Sequence, residues 1–367
     1  MALLTMLTAA TTNPHDEVRA AAVEAVQLAK PQMNADERPD TSHKGVSPLE
    51  EHERLPLISV HSYRGGVGKT TVTALLGAAM VLQGHRVCLV DLDLVAPGLS
   101  WIFSTQPEKA ILDYLLIDPV TGRRQASATE LVRELRTPLV PERGGLAGIL
   151  GRPDPGNARS IQAYLMAEVR TGLPGACLEH LLLGVQEDSA QSRRRFDLFI
   201  LDTPPSLFGL SSGARDLVKK HAGVEVFVAG PTVQDLAAVP EMILPLTDGA
   251  DDDQDASATP AFILNAYPYE VTGADGAETI ARQILRGRQE GDQSGNEHSR
   301  MSAWARPLRR LRTRIIPWSE EIRQITLDPR AADEAIWKGA LSEDVRTLAT
   351  ELAGDVTGRA SDERDHR

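Results

Sequence analysis

Apolar runs of strand length alternate with amphipathic helical patterns along most of the chain. The strand-like runs cover residues 57–62, 87–91, 146–150, 196–202, 224–229, 261–265 and 314–316. The helical patterns cover residues 69–83, 158–170, 176–188, 208–221, 234–246, 276–288 and 331–352. Continuous apolar strands that alternate with helices are typical of a parallel sheet covered on both faces. The pattern therefore predicts a three-layer α/β/α fold with a doubly wound, mainly parallel sheet, in which ligands bind at the carboxyl ends of the strands.

The first residues differ from this pattern. Residues 1–30 hold two short helical patterns, and the second places Val18, Ala22 and Val26 on one stripe, like the second helix of a HEAT repeat. A single repeat of this kind cannot bury its own apolar face. We expect a helical extension that docks on the main domain or on a partner; a marginally stable helix is the alternative.

The remaining boundaries follow from composition. Residues 31–55 are polar and proline-containing, which predicts a flexible linker. The alternating pattern then fills residues 56–353, and residues 354–367 are polar enough to predict a disordered tail.

Charge and cysteine content limit the possible functions. The net charge of −12 argues against broad, non-specific nucleic-acid binding. Cys88 and Cys177 are the only cysteines, too few for a disulfide framework or an iron–sulfur site. The start of the chain lacks the basic segment of a signal peptide, and no apolar run approaches the roughly 20 residues of a membrane span. We expect a cytoplasmic protein without membrane attachment.

A glycine-rich loop lies between the first strand and the first helix, with the sequence Tyr63-Arg64-Gly65-Gly66-Val67-Gly68-Lys69-Thr70-Thr71. Its glycines allow successive main-chain N–H groups to converge on phosphate oxygens, and the helix adds its positive end. Lys69 would contact the β- and γ-phosphates, and the Thr70 hydroxyl would bind Mg²⁺. The loop predicts a P-loop site for a nucleotide. A structural glycine-rich turn is the alternative, since Tyr63 stands where the plain P-loop pattern has glycine.

Two later strands end in aspartate. One run ends in Asp91-Leu92-Asp93, and another ends in Asp202-Thr203-Pro204-Pro205. Parallel strands deliver such carboxylates to the same edge of a sheet, where a nucleotide–Mg²⁺ site needs them. Each aspartate taken alone could instead cap the loop that follows it.

The order of these motifs resembles the ParA/MinD family of deviant P-loop ATPases, over about residues 57–352. The resemblance implies ATP and Mg²⁺ as cofactors. It implies that Asp93 positions the attacking water, that Asp202 holds Mg²⁺ through water and senses the γ-phosphate, and that Asp91 supports the metal. It also implies that Asn265 reads adenine and that Pro317 packs beside the base; a loop-capping Asn265 is the alternative.

The resemblance further implies an ATP-dependent homodimer. The lysine that crosses the family's dimer interface is replaced here by Arg64, which keeps the charge and adds bidentate geometry. We expect Arg64 to act in catalysis with Lys69 and Asp93, by contacting the phosphates bound to the other subunit. The alternative is that Arg64 acts only within its own subunit.

Two functions remain open. The first is a ParA-type switch in which ATP closes a dimer and a protein activator or cargo triggers hydrolysis. The second is an adaptor in which nucleotide binding gates docking of a protein effector, with little hydrolysis. DNA partitioning is possible through the arginines between Arg300 and Arg314 but is not favoured, because a solvated helix explains them equally well.

Overall fold

The computed structural model describes residues 54–116, 123–135, 144–152, 173–191, 195–205, 209–230, 232, 235, 261–267, 312–317 and 329–357. The predicted helical extension, almost all of the predicted linker, and the helices expected over 158–170 and 276–288 lie outside these residues. Nearly all of the helix expected over 234–246 and most of the arginines between Arg300 and Arg314 also lie outside them.

The described strands form one eight-stranded sheet in the order β3-β4-β2-β5-β1-β6-β7-β8. Their bounds are β1 Leu57–His61, β2 Arg86–Asp91, β3 Val132–Glu134, β4 Gly145–Ile149, β5 Leu198–Asp202, β6 Val224–Ala229, β7 Ala261–Tyr267 and β8 Arg312–Pro317. Every neighbouring pair is parallel except β3 and β4, which are antiparallel. The predicted α/β fold with a mainly parallel sheet is confirmed.

Strand β3 was not predicted. It has only three residues, and all of them are at least partly exposed at the edge of the sheet. A segment this short has no alternation of apolar and polar residues that a sequence pattern could reveal.

The described helices flank the sheet. Their bounds are α1 Lys69–Leu82, α2 Leu99–Ile102, α3 Ile111–Leu115, α4 Ala128–Leu131, α5 Leu173–Gln191, α6 Leu210–Lys220, α7 Pro329–Ala340 and α8 Glu343–Thr357. Helices α1, α5 and α6 confirm the predictions over 69–83, 176–188 and 208–221. No helix in the described part of the chain is long and apolar enough to cross a membrane.

The single helix expected over 331–352 is wrong, because two helices occupy this stretch. The N–H groups of Leu341 and Ser342 bond to the carbonyls of Lys338 and Gly339, which tightens and ends α7. The Ser342 carbonyl then accepts the first bond of α8 from Arg346 N–H at 3.0 Å. Helix α8 continues to Thr357, so the first residues assigned to the tail are helical.

The three layers enclose two apolar cores. Strand β1 is buried along its whole length, with Ile58 and Val60 facing one core and Leu57 facing the other. Helices α1, α7 and α8 cover the first face, and α5 and α6 pack together on the second. Because parallel strands run in one direction, the carboxyl ends of β1, β2, β5 and β6 meet at one edge.

Candidate nucleotide-binding site

The loop between β1 and α1 has the backbone of a phosphate cradle. Gly66 and Gly68 have φ angles of 82° and 83°, a left-handed conformation that side-chain-bearing residues rarely adopt. Gly68 is the N-cap of α1 and provides no side-chain hydrogen bond to the first turn. The N–H groups that open α1 therefore present partial positive charge toward an anion.

Lys69 and Thr70, the first residues of α1, both contact Asp202 at the end of β5. Lys69 Nζ lies 2.6 Å from Asp202 Oδ1, and Thr70 Oγ1 donates to Asp202 Oδ2 at 2.7 Å. Lys69 is 6% exposed and Asp202 is fully buried. A buried ion pair with this geometry is strongly coupled, since neither charge has water to replace its partner.

Thr73, one turn further along α1, was missed by sequence reasoning. Its hydroxyl lies 3.1 Å from both Asp202 Oδ1 and the Lys69 carbonyl. Residues four apart share a helix face, so its spacing from Lys69 was the available signal.

The residues at this position fit a magnesium ion. Thr70 Oγ1 and the Asp202 carboxylate are the oxygen donors that Mg²⁺ prefers. Among the described residues, no group of three or more His, Cys, Asp or Glu side chains could hold a metal. A magnesium ion here would complete its coordination with water and phosphate oxygens, as it commonly does in nucleotide sites.

Asp91 lies beside Asp202, in register across β2 and β5. It is fully buried, and its two oxygens accept the N–H groups of Asp93 at 3.2 Å and Leu99 at 3.1 Å. Burial, followed by the nearby charge of Asp202, raises the pKa of Asp91 well above its ordinary value. Asp91 thus shapes the loop after β2 beside the expected metal position.

Asp93 caps the turn that follows it. Its Oδ1 accepts the N–H groups of Val95 at 3.3 Å and Ala96 at 2.9 Å, and the side chain is 8% exposed. Asp93 thus caps the loop that follows it, the alternative role that the sequence left open for each aspartate. The predicted role in positioning water is not tested by this geometry.

Arg64 projects outward from the loop, with 47% of its side chain exposed. Its Nη1 lies 3.5 Å from Asp235 Oδ1 in the same chain. Asp235, which sequence reasoning missed, also accepts the Thr232 hydroxyl at 2.6 Å. A contact with a second subunit stays a prediction.

The other predicted nucleotide-binding residues lie in the phosphate loop, in α1, and in strands β7 and β8. Gly65 and the partly buried Val67 lie in the loop, and Thr71 is buried in the first turn of α1. Asn265 lies in β7 opposite Ile316 of β8, and Pro317 ends β8. The backbones of Asn265 and Pro317 lie toward the carboxyl edge of the sheet. Their strands are on the β6 side of β1, where the order is β1-β6-β7-β8.

Strand β1 ends in a second polar group that sequence reasoning missed, on the face opposite α1. His61 is fully buried, and its Nδ1 lies 3.2 Å from the Thr203 hydroxyl. Burial, followed by the charges of Arg215 and Lys69, lowers the pKa of His61 to about 3. The ring is therefore neutral at physiological pH.

A strand, a glycine-rich loop carrying lysine and threonine, a helix, and an aspartate on the neighbouring strand together define a P-loop nucleotide-binding domain. Residues 58–325 match the family model described as the CobQ/CobB/MinD/ParA nucleotide binding domain. The chain belongs to this family, which confirms the resemblance to ParA/MinD proteins.

The relatives match over different lengths. The septum site-determining protein MinD of Thermotoga maritima is 40% identical over 67 residues, which are 18% of this chain and 24% of the relative. The alignment thus spans about a quarter of the length of such curated relatives. The structure of apo McdA from Cyanothece has 17% identity and a TM-score of 0.51, and the match covers 82% of this chain and 98% of that one. At this identity the likeness shows the fold alone.

Proposed function

We propose that the chain is a Mg²⁺-dependent ATP hydrolase that acts as a dimerisation switch to position or regulate a protein partner. The observation that carries the proposal is the convergence of Lys69 and Thr70 on the buried Asp202 at the phosphate loop. Membership of a nucleotide-binding family supports it, and the MinD relative, named for determining the septum site, supports a positioning role.

The Lys69–Asp202 pair supplies the switch. A triphosphate carries more negative charge than one carboxylate and would compete for the Lys69 ammonium. Among the described residues, the Asp202 carboxylate would then keep the hydroxyl donors of Thr70 and Thr73, so its environment differs between the nucleotide-free and the nucleotide-bound state. Magnesium, when bound at Thr70 and Asp202, would neutralise charge on the phosphates.

Two further residues would act on the nucleotide. Asp93 already holds the turn over residues 93–96 and would orient water against the terminal phosphate. Arg64, exposed beside the loop, would reach the phosphates of a second copy and so make hydrolysis depend on dimerisation.

A turnover measurement tests this function. We expect Lys69→Ala to lower ATP turnover about a hundredfold, because a preorganised charge at the phosphates is lost. Lys219→Ala is the matched control, since Lys219 is an exposed lysine on α6, away from the loop. Circular dichroism would verify that both variants fold. Turnover that is unaffected by Lys69→Ala would contradict the proposal.

A second candidate function is a nucleotide-gated adaptor with little hydrolysis. The observation that favours it is that Asp93 Oδ1 accepts two main-chain N–H groups, so this oxygen is used to hold the turn and is less available to accept a proton from water. Tight Mg-ATP binding without turnover, even with protein partners present, would support the adaptor. A gel shift on random DNA at two salt concentrations would separate DNA partitioning from both functions.

A further inference from the structure

The face of the sheet behind the phosphate loop carries a buried polar cluster, made of Ser59, His61, Thr203, Arg215 and Glu225. Ser59, His61 and Thr203 are fully buried. The Arg215 and Glu225 side chains, 12% and 11% exposed, form an ion pair at 2.8 Å. None of these five residues lies on the face of the sheet that carries α1 and the phosphate loop. Burying polar groups costs free energy unless they are hydrogen-bonded, so the partners of these side chains matter.

The distances assign the hydrogen bonds of this cluster. Thr203 Oγ1 lies 2.9 Å from the Val60 carbonyl and 3.2 Å from His61 Nδ1. The Thr203 hydroxyl therefore donates to the carbonyl, and Nδ1–H of His61 donates to the Thr203 oxygen. The other ring nitrogen, Nε2, accepts the Ser59 hydroxyl at 2.8 Å.

This hydrogen-bond network holds the end of β5, the strand that carries Asp202. Thr203 directly follows Asp202, and successive side chains at a strand end point to opposite faces of the sheet. Asp202 thus contacts Lys69 and Thr70 on one face while Thr203 is held on the other.

We propose that His61 is a positioning residue for the Asp202 switch. The bond from His61 Nδ1 to Thr203 adds to the main-chain bond from Thr203 N–H to the Val60 carbonyl in holding the end of β5. The two together set the direction of the Asp202 carboxylate toward α1. The inference rests on the proposed ATPase function, because it assigns a role within that reaction. Glu225 lies on the Nε2 side of the His61 ring, with Oε1 4.0 Å from Nε2. Its ion pair with Arg215 holds it there.

Two substitutions separate the ring nitrogens. Asparagine places an amide near the position of Nδ1 and glutamine places one near Nε2. His61→Asn should retain the bond to Thr203, and turnover should stay within about twofold of wild type. His61→Gln should lose that bond and lower kcat about fivefold to tenfold, the effect of one buried hydrogen bond.

A magnesium titration separates positioning from general damage to the fold. Because Asp202 is the carboxylate proposed to hold Mg²⁺, we expect His61→Gln to raise the Mg²⁺ concentration for half-maximal turnover about fivefold. Thr203→Val should behave like His61→Gln, and Thr203→Ser, which keeps the hydroxyl, like wild type. The threonine pair decides the question if the histidine variants do not fold.

The outcomes distinguish this inference from the proposed function. Turnover that does not depend on Lys69 would overturn the ATPase proposal, and with it any role of His61 in that reaction. Lys69-dependent turnover with the same kcat and Mg²⁺ requirement in His61→Asn and His61→Gln would overturn the role of His61 alone. Different values for Thr203→Val and Thr203→Ser, in the direction given, would support it.

Discussion

Asp202 and Thr203 are adjacent in the chain but belong to different chemical environments. The Asp202 carboxylate accepts hydrogen bonds from the Lys69 ammonium and from hydroxyl groups of α1. The Thr203 hydroxyl oxygen accepts the Nδ1–H of the neutral His61 ring on the opposite face of the sheet. A shift of the backbone at this point would change both faces together. Tight positioning matters here, because displacing a functional group by about 1 Å can cost a hundredfold in rate.

The buried imidazole also predicts how stability depends on pH. The pKa of His61 is about 3 in the folded protein, against 6.5 for an unperturbed histidine. Between these values the unfolded chain binds a proton that the folded chain does not, so the free energy of unfolding falls as the pH falls. From pH 7 to pH 5, His61 should account for a loss of about 2 kcal/mol.

Urea denaturation of wild type and His61→Asn at both pH values would measure this loss. The asparagine variant lacks the titrating ring, so its stability should decrease less than that of wild type between pH 7 and pH 5. Equal decreases in the two proteins would show that His61 does not titrate in this way. The pKa of His221 is also lowered by burial, but this residue is present in both proteins, so its contribution cancels from the comparison.

At the level of helices and strands, glycines differ in what surrounds them. A Cβ at Gly223, just before β6, would lie 2.4 Å from the Leu57 carbonyl oxygen, a backbone atom that cannot move aside. A Cβ at Gly354, on the exposed side of α8, would have no atom within 4 Å. The same substitution should therefore have opposite effects at these two positions.

We expect Gly223→Ala to lower the free energy of unfolding by about 2–3 kcal/mol through overpacking. Gly354→Ala should raise it by about 0.5 kcal/mol, because alanine favours the helix and restricts the unfolded chain. Thermal or urea unfolding of both variants measures the difference. A destabilising Gly354→Ala would contradict the helical structure of residues 354–357.

For the whole molecule, we predict that Arg64 acts on a second subunit. With Mg²⁺ and a non-hydrolysable ATP analogue, we expect wild type to sediment as a dimer. Arg64→Ala should weaken dimerisation at least about tenfold, the effect of losing a charge-assisted contact, and Arg64→Lys should largely restore it. Without nucleotide all three proteins should remain monomers.

Analytical ultracentrifugation over a range of protein concentrations would give the dimerisation constants. Unchanged dimerisation of Arg64→Ala would mean that Arg64 serves its own subunit, as its proximity to Asp235 also permits. Turnover of the same proteins, measured with Mg²⁺ and ATP over the same range of protein concentrations, would then show whether hydrolysis depends on dimerisation at all.

Local patterns in the sequence were sufficient for the P-loop, the strands that end in Asp91 and Asp202, and the alternation of strands and helices. Glycine spacing, apolar runs and helical periodicity act within a few residues, so they can be read without knowing the fold. They did not reveal the short edge strand β3, nor the break at Ser342.

Contacts between distant residues required the folded chain. Lys69 and Asp202 are 133 residues apart, and His61 and Thr203 are 142 residues apart. They meet because β5 pairs with β1, and this strand order is set by packing over the whole sheet rather than by any local pattern. The sequence therefore predicted a phosphate site, and the fold determined which side chains pair with Lys69, Arg64 and His61.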